Sequence, residues 1–323
     1  MKKKIFKGIG IFFIVAIFVL TIFSSYVIYI LNLSKPIGSR LVIDRENMTI
    51  SVNDDRDIRV LQIADTQITA LGDAVKAMPI IKETVEKARP DLIVLTGDNF
   101  MDDSPKWILQ QYIKFFDAFE IPWAPVVGNH DYLTSFSMEE MCEHFESSKY
   151  CLFKQGSINE SYGNYCYNIE RNGKVVYSLI FMDNAIKISQ EHLDWYKETI
   201  IDIKQNNGEQ VVPSWVFFHK PLVEAYYAYY YAEEDEIDGE KREGIAFVFE
   251  DAGMFNTAYH LGSTTAFIYG HNHRNSYICD YYGIKMCFGL KTGKTSYYDR
   301  DLMGGNVFVL KPDNTFIVER VFV

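Results

Sequence analysis

The sequence predicts an α/β protein with parallel strands and a polar site where several strands end. Short apolar runs alternate with helical periodicity, giving a strand over residues 59–64, a helix over 73–89 and a strand over 91–96. Such a β-α-β unit implies parallel strands, and sites in α/β sheets form beyond the carboxyl ends of those strands. Several apolar runs end in clusters of Asp, Asn and His, which indicates a metal site.

The N-terminus predicts a membrane anchor. Four lysines lie within the first seven residues, and an uncharged run extends from Gly8 to Leu33. That run is long enough to cross a hydrocarbon core of about 30 Å. A cleaved signal peptide would have a shorter apolar region and a small-x-small cleavage site, which "FSSYV" does not provide. The lysines favour a cytoplasmic N-terminus, so the rest of the chain is expected at a cell surface or in a lumen.

Three segments follow from this pattern. Residues 1–34 are expected to hold the cytoplasmic lysines and the transmembrane anchor, and residues 35–57 a linker with a leading hairpin. Residues 58–323 are expected to form the catalytic domain, with further helices over 104–119 and 189–204 and a hairpin about Asn172-Gly173. The tyrosine-rich and then acidic insert at 224–244 fits either a lid beside the site or a packed surface helix.

Charge and cysteine content exclude some functions. The net charge of −11 opposes binding to nucleic acid, so local positive charge would have to come from a metal. The five cysteines show no CxxC pairing, which argues against a zinc finger. Cys279 and Cys287 flank a predicted hairpin; they could form a disulfide in an oxidising compartment, or they could be buried thiols.

Five short blocks, each after an apolar run, carry the chemistry. Carboxylates such as Asp98 can bridge two cations, and imidazoles, carboxylates and amide oxygens complete such sites. A glycine before Asp98, Asn129 and His271 lets the backbone turn sharply off each strand. The blocks in chain order are Asp65-Thr66-Gln67, Gly97-Asp98-Asn99, Gly128-Asn129-His130-Asp131, His219 and Gly270-His271-Asn272-His273.

This order resembles the calcineurin-like metallophosphoesterases, whose pattern is DxH…GD…GNH[ED]…H…GHxH. The resemblance extends over residues 58–310 and is narrower with a purple-acid-phosphatase-related branch that includes plant and fungal phosphatases. It implies a four-layer α-β-β-α sandwich of two mixed sheets with a binuclear metal site in the strand-end loops. The iron-tyrosinate enzymes carry GDxxY, but Met101 stands at the tyrosine position here, so no purple Fe(III) centre is expected.

The resemblance also assigns roles, block by block. It implies that Asp98 bridges the two metals, and that His130 faces the scissile phosphate with Asp131 as its acidic partner. The neighbouring cations Lys220 and Arg274 are weaker candidates for contacts with the substrate phosphate, the alternative being solvated side chains. The other implied metal ligands are Asp65, Gln67 and His273 at the first metal and Asn129, His219 and His271 at the second.

Gln67 is the one departure from the ligand pattern, because the family has histidine there. Its carbonyl oxygen is a weaker donor than imidazole and favours a harder ion, so two divalent metals are expected with manganese first and iron or zinc as alternatives. The other ligand positions are intact, which favours an active enzyme over a dead one.

The expected function is that of a membrane-anchored phosphoesterase that hydrolyses phosphate esters by attack of metal-activated hydroxide. The expected partners are a phosphorylated small molecule and, through the N-terminal helix, the membrane. One alternative is a pyrophosphatase or phosphodiesterase acting on nucleotide or lipid-headgroup substrates. Another, of a different class, is a non-catalytic surface binding protein that keeps a metal for stability.

Overall fold

The computed structural model describes residues 2–52 and 54–323. Met1 and Asn53, which fall in the predicted anchor and linker, lie outside the described residues. The first helix, α1 (Lys2–Leu31), contains a 19-residue stretch, Phe12–Ile30, with a mean hydropathy of 2.5. By length and composition it is able to cross a membrane.

The remaining elements include the predicted alternation of strands and helices. The helices are α2 (Leu71–Ala88), α3 (Lys106–Asp117), α4 (Met138–Ser147), α5 (Gln190–Asn206), α6 (Glu224–Tyr231) and α7 (Met254–Leu261). The strands are β1 (Val42–Asp44), β2 (Thr49–Val52), β3 (Ile58–Ile63), β4 (Leu92–Thr96), β5 (Trp123–Val126), β6 (Tyr165–Arg171), β7 (Lys174–Phe181), β8 (Ser214–Phe217), β9 (Thr264–Tyr269), β10 (Ile278–Tyr281), β11 (Ile284–Phe288), β12 (Gly304–Leu310) and β13 (Phe316–Phe322).

The strands form two mixed sheets, which confirms the predicted α/β fold with two mixed sheets. The smaller sheet has the order β13-β12-β3-β4-β5, in which β3, β4 and β5 are parallel and β12 runs antiparallel to β3. The larger sheet has the order β1-β2-β6-β7-β8-β9-β11-β10, with β7, β8, β9 and β11 parallel. The carboxyl ends of each parallel set therefore lie along one edge, where loops from both sheets can meet.

The two sheets pack face to face and each carries helices on its outer side. Trp215 of β8 packs against Phe308 of β12, with ring centroids 5.5 Å apart. On the outside of the smaller sheet α2 contacts β3, β12 and β13. On the outside of the larger sheet α5, α6 and α7 contribute to a second apolar cluster. The layers thus run helix, sheet, sheet, helix.

Two local features differ from expectation. The helices α4 and α7 were not predicted, although Ser137 and Glu140 form a capping box at the start of α4. The option of a Cys279–Cys287 disulfide is wrong: both thiols are free and buried. In the β10–β11 pairing Cys287 lies opposite Ile278, so Cys279 and Cys287 point to opposite faces of the sheet and cannot bond.

Candidate metal centre

The five predicted blocks converge at the edge where the two sheets meet. Asp65 follows β3, Asp98 follows β4 and Asn129 follows β5, so three adjacent parallel strands each lead into one predicted ligand. From the facing sheet His219 follows β8, while His271 and His273 follow β9. The ligating atoms form two groups that share Asp98: one with His219 and His271, the other with Asp65 and His273.

The backbone of these loops is strained. Asp65, Gln67, Asp98 and His271 have positive φ angles of 56°, 46°, 48° and 68°. For residues with a Cβ this left-handed region costs about 1–2 kcal/mol per residue. Such outliers cluster at functional sites, where the surrounding structure holds side chains in directions that a relaxed loop would not give them.

The second cluster consists of Asp98, Asn129, His219 and His271. The Nε2 atom of His219 lies 3.2 Å from Oδ1 of Asp98, 3.1 Å from Oδ1 of Asn129 and 3.1 Å from Nδ1 of His271. On the other side of the ring, Nδ1 donates to the backbone oxygen of Thr96 at 2.9 Å. Because a carbonyl only accepts, Nδ1 carries the proton, and Nε2 is the atom that can face a metal.

The electrostatics of the second cluster favour a cation. Burial lowers the pKa of His219, but Asp98 and Asp65 outweigh it and raise that pKa to about 9. Burial and the nearby charge of His219 lower the pKa of His271 to about 3, so its ring is neutral and its lone pair is available. The carboxylates therefore attract positive charge beside a neutral imidazole, which is the environment expected at a site for a divalent metal.

The first cluster consists of Asp65, Asp98 and His273. The Nε2 atom of His273 lies 3.4 Å from Oδ1 of Asp65, and its Nδ1 donates to the backbone oxygen of Tyr297 at 2.8 Å. The ring also stacks on that of Tyr297, with centroids 4.1 Å apart. These contacts orient His273 as the carbonyl of Thr96 orients His219, so both imidazoles present Nε2 to the clusters.

Gln67 is placed beside the first cluster but turned the wrong way for a ligand. Its amide nitrogen donates to Oδ2 of Asp98 at 3.1 Å, and its oxygen accepts from Nζ of Lys291 at 2.9 Å. Lys291 is buried and also donates to the backbone oxygen of Asp65 at 2.7 Å. Burial lowers the pKa of Lys291 to about 8, although Asp65 and Asp98 oppose that shift. Manganese was expected because the Gln67 oxygen was predicted to bind the first metal. That oxygen instead faces the ammonium group of Lys291.

His130 sits beside both clusters, but Asp131 is not its partner. The Nδ1 atom of His130 donates to Oδ1 of Asp102 at 2.6 Å, and its Nε2 lies 3.9 Å from Oδ2 of Asp98. Asp131 is buried and accepts from the backbone nitrogens of Gly128 and Phe100, both at 2.8 Å. The predicted pairing of His130 with Asp131 is thus corrected: Asp131 braces the loops, because its carboxylate is needed there to satisfy buried N–H groups.

With this geometry in place, comparison with known proteins identifies the family. The family model described as calcineurin-like phosphoesterase matches residues 58–275. The chain belongs to the calcineurin-like phosphoesterase family.

Relatives fall in the branch that the sequence predicts. A protein of Arabidopsis thaliana named probable inactive purple acid phosphatase 28 is 24% identical over 298 residues, which cover 78% of this chain and 74% of that protein. Phosphatase DCR2 of Saccharomyces cerevisiae is 27% identical over 290 residues, covering 75% of this chain and 48% of that protein. A crystal structure of a dimetal phosphatase from Danio rerio, 13% identical, superposes with a TM-score of 0.53 over 82% of this chain and 99% of that one.

The donor chemistry fits a divalent metal better at one cluster than at the other. The second cluster offers two imidazole nitrogens, a carboxylate and an amide oxygen, a set that suits Zn²⁺, Fe²⁺ or Mn²⁺. The first cluster offers two carboxylates and one imidazole. Its fourth predicted donor, the Gln67 oxygen, faces Lys291 instead.

The predicted substrate contacts lie at the rim. Lys220 is half-buried and makes no ion pair among the described residues; burial lowers its pKa, and Asp98 and Asp183 oppose that shift. Arg274 is about half exposed, and its Nε lies 4.0 Å from Oδ2 of Asp299. The acidic part of the 224–244 insert reaches the same rim, since Glu243 accepts from the backbone nitrogen of Arg274 at 2.9 Å.

The tyrosine-rich part of the insert is the helix α6, which packs on β10. Tyr226 stacks on Tyr230 and Tyr227 stacks on Tyr231 along its exposed face. The lid and the packed surface helix were the two alternatives for this segment, and each describes only part of it. The helix α6 is a surface helix, whereas the acidic end of the insert borders the site.

Sequence reasoning missed two residues of the centre, Asp102 and Lys291. Asp102 follows the Gly97-Asp98-Asn99 block closely, but nothing in the sequence distinguishes it from Asp103. Lys291 lies in a loop after β11, and a parallel bridge to Ala64 brings it beside the first block. No motif marks it, because that contact joins segments more than 220 residues apart.

Proposed function

We propose that this protein is a divalent-metal-dependent phosphoesterase that hydrolyses phosphate esters. One observation carries the proposal: four separate loops bring Asp65, Asp98, His219, His271 and His273 together, and backbone carbonyls orient the imidazoles of His219 and His273 toward the clusters. Residues 58–323 would form the catalytic domain. The helix α1 would anchor it, with the N-terminal lysines in the cytoplasm and the site outside it.

Different residues of this chain would hold the metal, donate a proton and contact the phosphate. A divalent cation held by Asp98, Asn129, His219 and His271 would supply positive charge that acidifies a water molecule and neutralises phosphate oxygens. His130, held by Asp102, would donate a proton to the leaving oxygen. Lys220 and Arg274 would contact the non-reacting phosphate oxygens. Two divalent metals are the family expectation, with manganese first and iron or zinc as alternatives.

The attachment of the anchor favours a water-soluble substrate. The backbone nitrogens of Ile37 and Gly38 donate to the oxygen of Phe119 at 2.9 and 3.0 Å, and Arg40 pairs with Asp91 at 2.8 Å. Phe119 and Asp91 precede β5 and β4, so the linker holds the amino end of the smaller sheet.

The metal centre lies at the opposite end of the same strands. Asp98 is seven residues beyond Asp91, and extended chain spans about 3.3 Å per residue, so roughly 23 Å separate the two. With α1 in a bilayer, the site would face away from that bilayer. This geometry argues for soluble phosphoesters and against lipid headgroups of the same membrane.

Replacement of Asp98 tests the proposal. In the full-length protein purified in detergent, Asp98→Asn should lower kcat/KM on an aryl phosphate by at least about 100-fold and reduce metal content. Asp103→Asn, an exposed acid nearby, is the matched control and should keep both. An Asp98→Asn protein with unimpaired turnover and metal content would refute the assignment.

A substrate panel separates the remaining candidates. Aryl monoesters, aryl diesters and nucleotide diphosphates, each tested with Mn²⁺, Zn²⁺ and Fe²⁺ and with a chelator control, distinguish a phosphatase from a phosphodiesterase or pyrophosphatase. In liposomes, the protein should hydrolyse a soluble ester but not a phospholipid of its own bilayer. If metal removal lowers the melting temperature and no ester is turned over with any metal, the non-catalytic alternative holds instead, as the word "inactive" in the name of the Arabidopsis relative would suggest.

A further inference from the structure

We propose that Lys291 supplies a fixed positive charge to the first cluster, and that the chain therefore binds one divalent cation tightly, in the second cluster. This inference rests on the metal-binding part of the proposed function and not on catalysis. It departs from the two divalent metals that the family pattern implies.

The orientation of Gln67 is fixed by its two partners. A carboxylate oxygen of Asp98 can only accept, so it takes the amide nitrogen, and the ammonium of Lys291 can only donate, so it takes the amide oxygen. Turning the amide to offer its oxygen to a metal would set NH₂ against an ammonium and a carbonyl against a carboxylate. Both charge-assisted hydrogen bonds would be lost, so Gln67 does not act as a ligand while Lys291 stays in place.

The position of Lys291 is set by the backbone and not by a mobile loop. Lys291 bridges to Ala64 and to Met303, and the next residue, Thr292, donates its backbone nitrogen to the oxygen of Ala64 at 2.8 Å. The side chain is 1% exposed and ends against the backbone oxygen of Asp65 at 2.7 Å. The ammonium thus remains beside the first cluster, where it already offsets part of the charge of the two carboxylates.

The two clusters consequently differ in their attraction for a metal. At the first, a dication would have to approach a buried ammonium in a region of low dielectric, where like charges repel strongly. At the second, two imidazoles, an amide oxygen and Asp98 converge, and the described residues place no lysine or arginine in hydrogen-bond contact with them. The second cluster should therefore keep its metal under conditions that strip the first.

Metal stoichiometry tests this directly. The full-length protein in detergent is loaded with Zn²⁺ or Mn²⁺, dialysed against chelating resin and analysed by inductively coupled plasma mass spectrometry, with folding checked by circular dichroism. Wild type should retain one equivalent of metal per chain. His273→Ala should keep that equivalent, and His219→Ala should lose it.

Removal of the lysine should restore the first position. The double variant Lys291→Met with Gln67→His replaces the ammonium by an apolar chain of similar length and supplies an imidazole, and it should retain a second equivalent. Lys294→Met, an exposed lysine of the same loop, should behave as wild type. If the double variant does not fold, the metal stoichiometries of wild type and of His273→Ala still test the inference.

Three results would overturn the inference. Two tightly held equivalents in wild type would show that Lys291 does not weaken the first cluster, while leaving the proposed function intact. A single equivalent of metal that is lost in His273→Ala would show that the tightly bound metal lies in the first cluster and not in the second. A folded wild-type protein that binds no metal would overturn this inference and the proposed function together.

Discussion

The imidazole of His130 is bound through Nδ1 to Oδ1 of Asp102 at 2.6 Å, which leaves Nε2 directed toward the metal clusters. A carboxylate that accepts from one ring nitrogen fixes the orientation of the ring, which places the other nitrogen to give a proton to a leaving oxygen. Asp102 thus acts on the reaction through His130, as a positioning residue.

Asp102→Asn should therefore lower kcat more than it changes KM. We expect a loss of about tenfold in kcat, below the usual range of acid–base effects, because Asp102 acts through His130 and is half exposed, so its field is screened. Steady-state kinetics on an aryl phosphate measure this, with metal content as a second readout that should stay constant. Asp103→Asn is the control. Equal kinetics for the two variants would contradict the role of Asp102.

The close approach of Gly128 to Asp98 gives a stability prediction. A Cβ on Gly128 would lie 2.0 Å from the backbone nitrogen of Asp98 and 2.3 Å from its Oδ1. Neither loop can move away without displacing a predicted metal ligand, so Gly128→Ala should lower the free energy of unfolding by at least about 2 kcal/mol. It should also lower metal affinity. Urea denaturation and metal analysis measure the two effects.

The control for Gly128→Ala is Gly72→Ala in α2, where an added Cβ meets nothing within 4 Å. The helix should be unaffected or gain up to about 1 kcal/mol, since alanine restricts the unfolded chain. Similar changes in stability in both variants would mean that the loops shift to accommodate a Cβ at Gly128, which would contradict the prediction.

The sequence predicts a residue of this centre when the strand next to it in the chain sets its position. It does not predict a residue whose position is set by contacts with distant segments. Asp65, Asp98 and Asn129 are recognisable because each directly follows an apolar strand, and parallel neighbouring strands must end together. The two clusters were predictable for that reason, as was the mixed α/β class.

The errors concern contacts that the motif does not contain. Asp131 was assigned to His130 because it is adjacent in sequence, but the backbone turn points its carboxylate inward to Gly128 and Phe100. Gln67 was interpreted as an oxygen ligand because nothing in the sequence places Lys291 beside it. Contacts between neighbouring loops decide the first case and a contact between the two sheets decides the second, and neither contact can be read from one sequence.

A last prediction concerns His192, which is buried on the far side of the larger sheet from the smaller one. Its Nδ1 accepts from the backbone nitrogen of Ser189 at 3.2 Å, and Nε2 donates to Oγ of Ser161 at 2.9 Å. Both contacts suit a neutral ring, and burial lowers the pKa of His192 below its ordinary value although Asp183 opposes this. In the unfolded chain the same ring has a pKa of about 6.5.

The lowered pKa makes the folded state less stable in mild acid. Above about pH 6.5 the ring is neutral in both states and costs nothing; as pH falls below that value the unfolded chain binds a proton that the folded chain does not. Stability should fall with a slope of up to about 1.4 kcal/mol per pH unit from this group, until the folded pKa is reached. Urea denaturation of wild type and His192→Gln between pH 7.5 and 5.5 should show a shallower slope in the variant. His260→Gln, at an exposed position, should follow wild type; a His192→Gln protein with the wild-type slope would mean that other groups cause the acid sensitivity.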